Sequence, residues 1–318
     1  MQYEIRTDLA LENREIYRLA QKIENEIPGI ETEVDDSDSD MLVTKVKILT
    51  NEGAEALGKP IGNYITIESQ MMNDEIERID NKIIQKVADT IKDISHLVKK
   101  DTVLVVGLGN GDVTPDALGP KVVENLQITR HLIEYAPEYL KEGTRAVSAI
   151  IPGVLGTTGI ETSEIVKGIV EHVKPDLVIV IDALASKNMD RISKTIQIAD
   201  TGIIPGSGVG NSRFAITKET LGVPTIVIGV PTVVGIPTIV DEAISYVIEK
   251  TTEDDTEKED LKNKNYMKEI LENKKFDFMV TPKDIDDIIN NLSNLVANSI
   301  NVALNWFKVT FVILPLLL

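Results

Sequence analysis

Apolar residues recur every three or four positions between Asn73 and Val98, at Ile76, Ile79, Ile83, Val87, Ile91, Ile94 and Val98. That spacing predicts a long amphipathic helix with one buried stripe. The same texture returns in Ile285, Ile288, Ile289, Leu292, Leu295, Val296, Ile300 and Val302. The stretch Thr281-Pro282-Lys283-Asp284 just before it reads as a helix start, with Thr281 as cap, Pro282 in the first turn and Asp284 at the positive helix end. Another helix is expected over 162–173.

Between these patterns lie continuous β-branched runs of the kind found in strands buried on both faces, at Thr102 to Val106, Leu177 to Ile181 and Thr225 to Ile228. Arg145 to Ile150 and Thr195 to Ala199 are expected to add strands. Thr44 to Leu49 alternates and is expected at a sheet edge. Strands alternating with helices imply right-handed crossovers, hence an α/β fold in three layers around a mostly parallel sheet. Glu31 to Asp40 reads as an acidic run, and Thr251 to Lys275, rich in Glu, Asp, Lys and Asn, as a solvated charged insertion. No internal repeat is visible.

The 318 residues, 42% hydrophobic, suffice for a sizeable core. A formal charge of −18 repels phosphate backbones, so direct nucleic acid binding is not expected. With no cysteine, thiolate metal sites, disulfides and cysteine nucleophiles are excluded. The first residues lack the basic and apolar regions of a secretory signal, so a cytoplasmic setting is the default. The apolar tail 309–318 is far shorter than the roughly 20 residues of a membrane span, and no membrane partner is expected.

Chemistry is expected to lie with two acids. Asp116 lies in the run VVGLGNGDVTPDALGP (105–120) and Asp182 in IDALAS (181–186), each expected just past the end of a buried strand, where open α/β sheets hold their ligands. Either acid alone reads equally as a helix cap. As a pair on one face of a sheet they can share a proton, activate water and protonate a leaving amine. The glycines of 107–111 do not complete a dinucleotide fingerprint, because Asp112 stands where its third glycine belongs. A second glycine-rich turn, 205–213, lacks the lysine of a phosphate-binding loop, but can bring backbone amides and Arg213 to an extended peptide or an oxyanion. His96, His131 and His172 share no metal-ligand spacing, and neither metal nor cofactor is expected.

Taken together, IRTDLA (5–10), VVGLGN (105–110), VTPDALGP (113–120), IDALAS (181–186) and SGVGNSR (207–213) resemble the germination protease family of spore-forming Gram-positive bacteria over most of the chain. The resemblance implies an endopeptidase that starts breakdown of small acid-soluble spore proteins in the spore core. It also implies a fold similar to the hydrogenase-maturation endopeptidases, a homotetramer, and synthesis as a zymogen that processes itself. Its essential acids fall on Asp116 and Asp182, and its self-cleavage site on the Asp8–Leu9 bond, an acid followed by an apolar residue as in the family's substrates. On this reading residues 1–8 are a propeptide and 9–308 a single α/β peptidase domain with a charged insertion near 251–275, followed by the apolar tail. Arg213 is the candidate to meet a substrate carboxylate. Two other readings stay open: a metal-dependent peptidase using the same aspartates, and a non-catalytic binding protein whose acids only cap helices.

Overall fold

The computed structural model describes residues 7–72, 77–210, 213–251 and 278–304. The charged insertion and the apolar tail therefore lie outside the described residues, apart from Thr251. In chain order the elements are α1 (Ala10–Ala20), β1 (Ile30–Asp38), β2 (Met41–Ile48), α2 (Asn51–Leu57), β3 (Gly62–Glu68), α3 (Glu77–Ser95), β4 (Val103–Gly107), α4 (Leu118–Glu124), α5 (Arg130–Tyr135) and β5 (Val147–Ile150). There follow α6 (Leu155–Thr158), α7 (Thr162–Val173), β6 (Leu177–Ser186), β7 (Thr195–Ala199), α8 (Lys218–Leu221), β8 (Thr225–Gly235), α9 (Ile236–Thr251), β9 (Met279–Val280) and α10 (Ile285–Leu304).

The strands form one sheet in the order β1-β2-β3-β7-β8-β6-β4-β5, with β9 pairing β8. The class is α/β, as expected. Parallel pairing is confined to β8-β6-β4-β5, and β7, β3, β2 and β1 extend the sheet antiparallel. One face packs Val105, Ile179, Ile181, Ile198 and Ile228 against α3, α4 and α10. The other face packs Leu104, Val106, Val178 and Val180 against α7 and α8, while Ala10, Leu11, Leu57 and Tyr64 place α1 and α2 on the antiparallel half. Three layers result.

Three expectations need correction. Thr44 to Leu49 is not at the edge: β2 is flanked by β1 and β3, and the edge strand is the acidic run itself. The run can be a strand because Glu31 and Glu33 stand opposite Lys47 and Lys45, so cross-strand attraction offsets repulsion along it. Such an exposed, charged strand also discourages edge-to-edge association. Secondly, α10 begins at Ile285 rather than at Pro282, and the Asp284 carbonyl accepts from the Ile288 N–H. Thr281 does not cap it; its hydroxyl donates to the Thr232 carbonyl of β8 at 2.9 Å. Thirdly, Arg145 stands just ahead of β5 rather than in it, buried, with its guanidinium donating to the carbonyls of Val98, Asp101 and Leu304.

The parallel order fixes where a ligand can go. From β4 the chain passes to β5 on one side, then returns across to β6 on the other, so the crevice past the carboxyl ends of β4 and β6 is the topological switch point. Both candidate aspartates border it.

Candidate active site

β4 pairs with β6 up to Gly107↔Ile181, and the Leu108 N–H still donates to the Ile181 carbonyl at 2.8 Å. There the chain leaves the sheet. Gly109 has φ +107°, and a Cβ built on it would lie 2.0 Å from the Asp116 carbonyl oxygen, so only glycine lets the turn fold back onto the Thr114–Asp116 3-10 turn. The Asn110 N–H then donates to the Asp116 carboxylate at 2.8 Å. Asp116 therefore ties the glycine-rich turn to itself rather than capping α4. The turn is fastened further by Thr232, whose hydroxyl donates to the Pro115 carbonyl, and by Thr114, whose hydroxyl donates to Asp286 of α10.

Asp182 is not past the end of its strand. β6 continues to Ser186, pairing with β8 through Asp182↔Gly229 and beyond, because hydrogen bonding to β8 outlasts the pairing with β4. Its side chain shares the sheet face of Val178 and Val180. It is 6% exposed and accepts the Ala183 N–H at 3.0 Å. On β7, Gln197 also stands opposite Gly229, so Asp182 and Gln197 lie in one row across the sheet, roughly two strand spacings or about 10 Å apart.

Residues 8–10 enter this row. The Asp8 N–H donates to the Ala185 carbonyl at 3.0 Å, extending β6 by one strand-like contact, and the Ala185 N–H donates to the Asp8 carboxylate at 2.9 Å. The Ser207 hydroxyl donates to the other carboxylate oxygen at 2.9 Å. Gln197 brackets the Asp8–Leu9 bond: its side-chain carbonyl accepts the Ala10 N–H at 2.8 Å, which leaves its NH2 to donate to the Asp8 carbonyl at 3.2 Å. Leu9 and Ala10 are buried.

The electrostatics follow from crowding. Asp182 has a pKa raised well above the usual carboxylate range, first by burial, then by the charges of Asp116 and Asp8, with the Ala183 N–H opposing. Burial also raises Asp116, against the Asn110 N–H. The charges of Asp116 and Asp8 thus both act on Asp182 at the switch point. Such an arrangement keeps one carboxyl protonated while another is ionised, the condition for moving a proton to or from a peptide bond.

Arg213 is not among the groups bonded to the Asp8 carboxylate; its backbone N–H donates to the Pro205 carbonyl. A cation that feels Asp8 is Lys59, just beyond α2, whose pKa is lowered by burial against the attraction of Asp8. No motif marks Lys59 in the sequence. Gln197 had one signal only, an amide between two isoleucines in the expected strand Thr195 to Ala199.

The model of the germination protease family matches residues 7–265. The chain is 49% identical to the germination protease of Caldanaerobacter subterraneus subsp. tengcongensis over 311 residues, covering 94% of each. It is 47% identical to that of Clostridium perfringens over 312 residues, 95% of each, and 41% identical to that of Bacillus subtilis, covering 96% of the chain and 94% of its relative. With a family model matched across most of its length and relatives this similar end to end, the chain belongs to the germination protease family.

Proposed function

We propose that this peptidase initiates degradation of small acid-soluble spore proteins during spore germination, and that it is made as a precursor which cuts its own Asp8–Leu9 bond. Asp116 and Asp182 act as an acid/base pair: the ionised carboxyl takes a proton from the attacking water, and the protonated one gives its proton to the leaving amine. Gln197 steadies the carbonyl of the bond to be cut. The observation that carries this reading is the placement of Asp8, bonded through its N–H and its carboxylate to Ala185, further along β6 from Asp182, with its charge acting on Asp182. Work in the spore core as a homotetramer belongs to the same proposal.

The test offers a small acid-soluble spore protein to the purified chain. Asp116→Asn and Asp182→Asn should each lower turnover by about a hundredfold or more while the protein stays folded, since general acid–base groups contribute on that scale. Turnover like the unaltered chain in either variant removes the pair from the mechanism. Loss of activity on adding a chelator, restored by a divalent ion, would assign the same aspartates to a metal.

A further inference from the structure

Asp8 is held more thoroughly than a passing segment needs. Its two carboxylate oxygens each have a dedicated donor at 2.9 Å, the Ala185 N–H and the Ser207 hydroxyl. The wall of the pocket is Gly208, where a Cβ would lie 1.9 Å from one of those oxygens and 2.5 Å from the carboxyl carbon. A methyl group there would push the carboxylate out. One donor lies on a sheet strand, and the other, with the wall, on the turn after β7, so the pocket joins two elements far apart in sequence.

We infer that Ser207, Gly208 and the Ala185 N–H form a carboxylate-reading subsite, filled here by Asp8 and filled in turnover by an acidic side chain on the acyl side of the substrate's scissile bond. This rests on the proposed cut after Asp8, which makes Asp8 the first occupant and its departure the opening of the subsite. Ionic hydrogen bonds are the stronger kind, and here they come from groups fixed by the fold, so an amide in place of the carboxylate loses an acceptor at one of two donors. Lys59 supplies the compensating charge. It emerges beyond Gly58, the left-handed cap of α2, and α2 shares a core cluster with Ala10, which brings that end of the helix to the start of α1. The sequence SGVGNSR thus contributes its serine and first glycine to the site. The position of Ser207 off the sheet also explains why no strand pattern pointed to it.

The test uses two peptides identical except for Glu or Gln before the scissile bond, offered to the self-processed chain. The Glu peptide should be favoured in kcat/KM by about a hundredfold, the upper scale of a hydrogen bond to a charged group, since the amide keeps one acceptor and loses the charge. Ser207→Ala and Lys59→Met should each compress that ratio by about tenfold, and Gly208→Ala should abolish it. An unchanged ratio in all three, with peptide still cut, overturns the subsite and leaves the protease reading standing. Compression by Arg213→Gln alone overturns it in favour of the guanidinium. If the chain cuts neither peptide and does not process itself, the protease reading falls, and the pocket is then judged by a double-mutant cycle. Asp8→Asn and Ser207→Ala, alone and together, are compared in urea unfolding of the full chain: coupled losses support a carboxylate pocket and additive losses overturn it.

Discussion

A buried carboxyl and a half-buried one at the switch point work against the fold that holds them. Below the pKa of an unfolded aspartate, about 3.9, both states carry the proton and no penalty arises. As pH rises toward the raised native-state values of Asp182 and Asp116, the unfolded chain ionises first while the native carboxyls resist, so stability present in acid is lost. Each unit of separation is worth about 1.4 kcal/mol. Urea unfolding at pH 5 and pH 8 should therefore show a decline that Asp182→Asn flattens, with the variant more stable than the unaltered chain at pH 8; an equal decline in both would mean Asp182 is not the group responsible. Of these acids, the sequence showed identity and neighbourhood, since a β-branched run ending in an acid is visible along the chain. It could not show that Asp182 sits inside its strand, because that depends on β8 continuing to pair after β4 has left. Lys59 and Ser207 were out of reach for the same reason: their relation to Asp8 exists only after α2, β7 and β6 have packed.

At the level of elements, legibility tracked how far local pattern decides structure. Helix α7, with one buried face, and strand β7, buried along its whole length, fall where their local patterns put them. The start of α10 slipped because Thr281, a good cap by composition, donates instead to a strand carbonyl. β1 was hidden because seven acidic or hydroxyl residues resemble a solvated run until the lysines opposite are counted. The 107–116 turn is the element on which the site most depends. Gly109→Ala would set a methyl group against the Asp116 carbonyl in a backbone conformation that L residues avoid. It should cost about 2–3 kcal/mol and break the Asn110–Asp116 bond, lowering activity beyond what reduced stability explains. Thermal unfolding together with turnover per folded molecule checks this; a variant as stable as its parent would show that the turn has slack.

Across the whole molecule, α1 is bound to the sheet chiefly through its own Glu12 and Glu15. Arg191 donates to both carboxylate oxygens of Glu15 at 2.8 Å, to Glu68 at 2.9 Å and to Glu12 at 3.4 Å. Burial opposes the guanidinium's charge, but Glu15 and Glu68 outweigh it and its pKa is pushed up. The Glu12 carboxylate also accepts from the Ser186 hydroxyl and the N–H groups of Lys187 and Asn188, which anchors the far end of β6. Arg191→Ala leaves Glu12 buried without its cation and should cost about 3 kcal/mol, read as a lower urea midpoint with the slope preserved; a midpoint within error of the parent would make the cluster ornamental. Most of this clamp lies at Glu12 and Glu15, beyond residues 1–8; of that segment, the Thr7 hydroxyl adds one donor to the Glu12 carboxylate and accepts the Leu9 N–H.

The crowding of Asp8 against Asp182 has its own consequence for that removal. Asp8 is one of two charges that raise the Asp182 pKa. If the proposed cut releases it, the Asp182 of the empty site would face Asp116 alone and hold its proton less tightly, until an acidic substrate side chain took the place of Asp8. Precursor and matured chain would then possess the same pair of acids at two different settings. Maturation on these terms would retune an existing proton store in the empty site, and each acidic substrate would set it back as it binds.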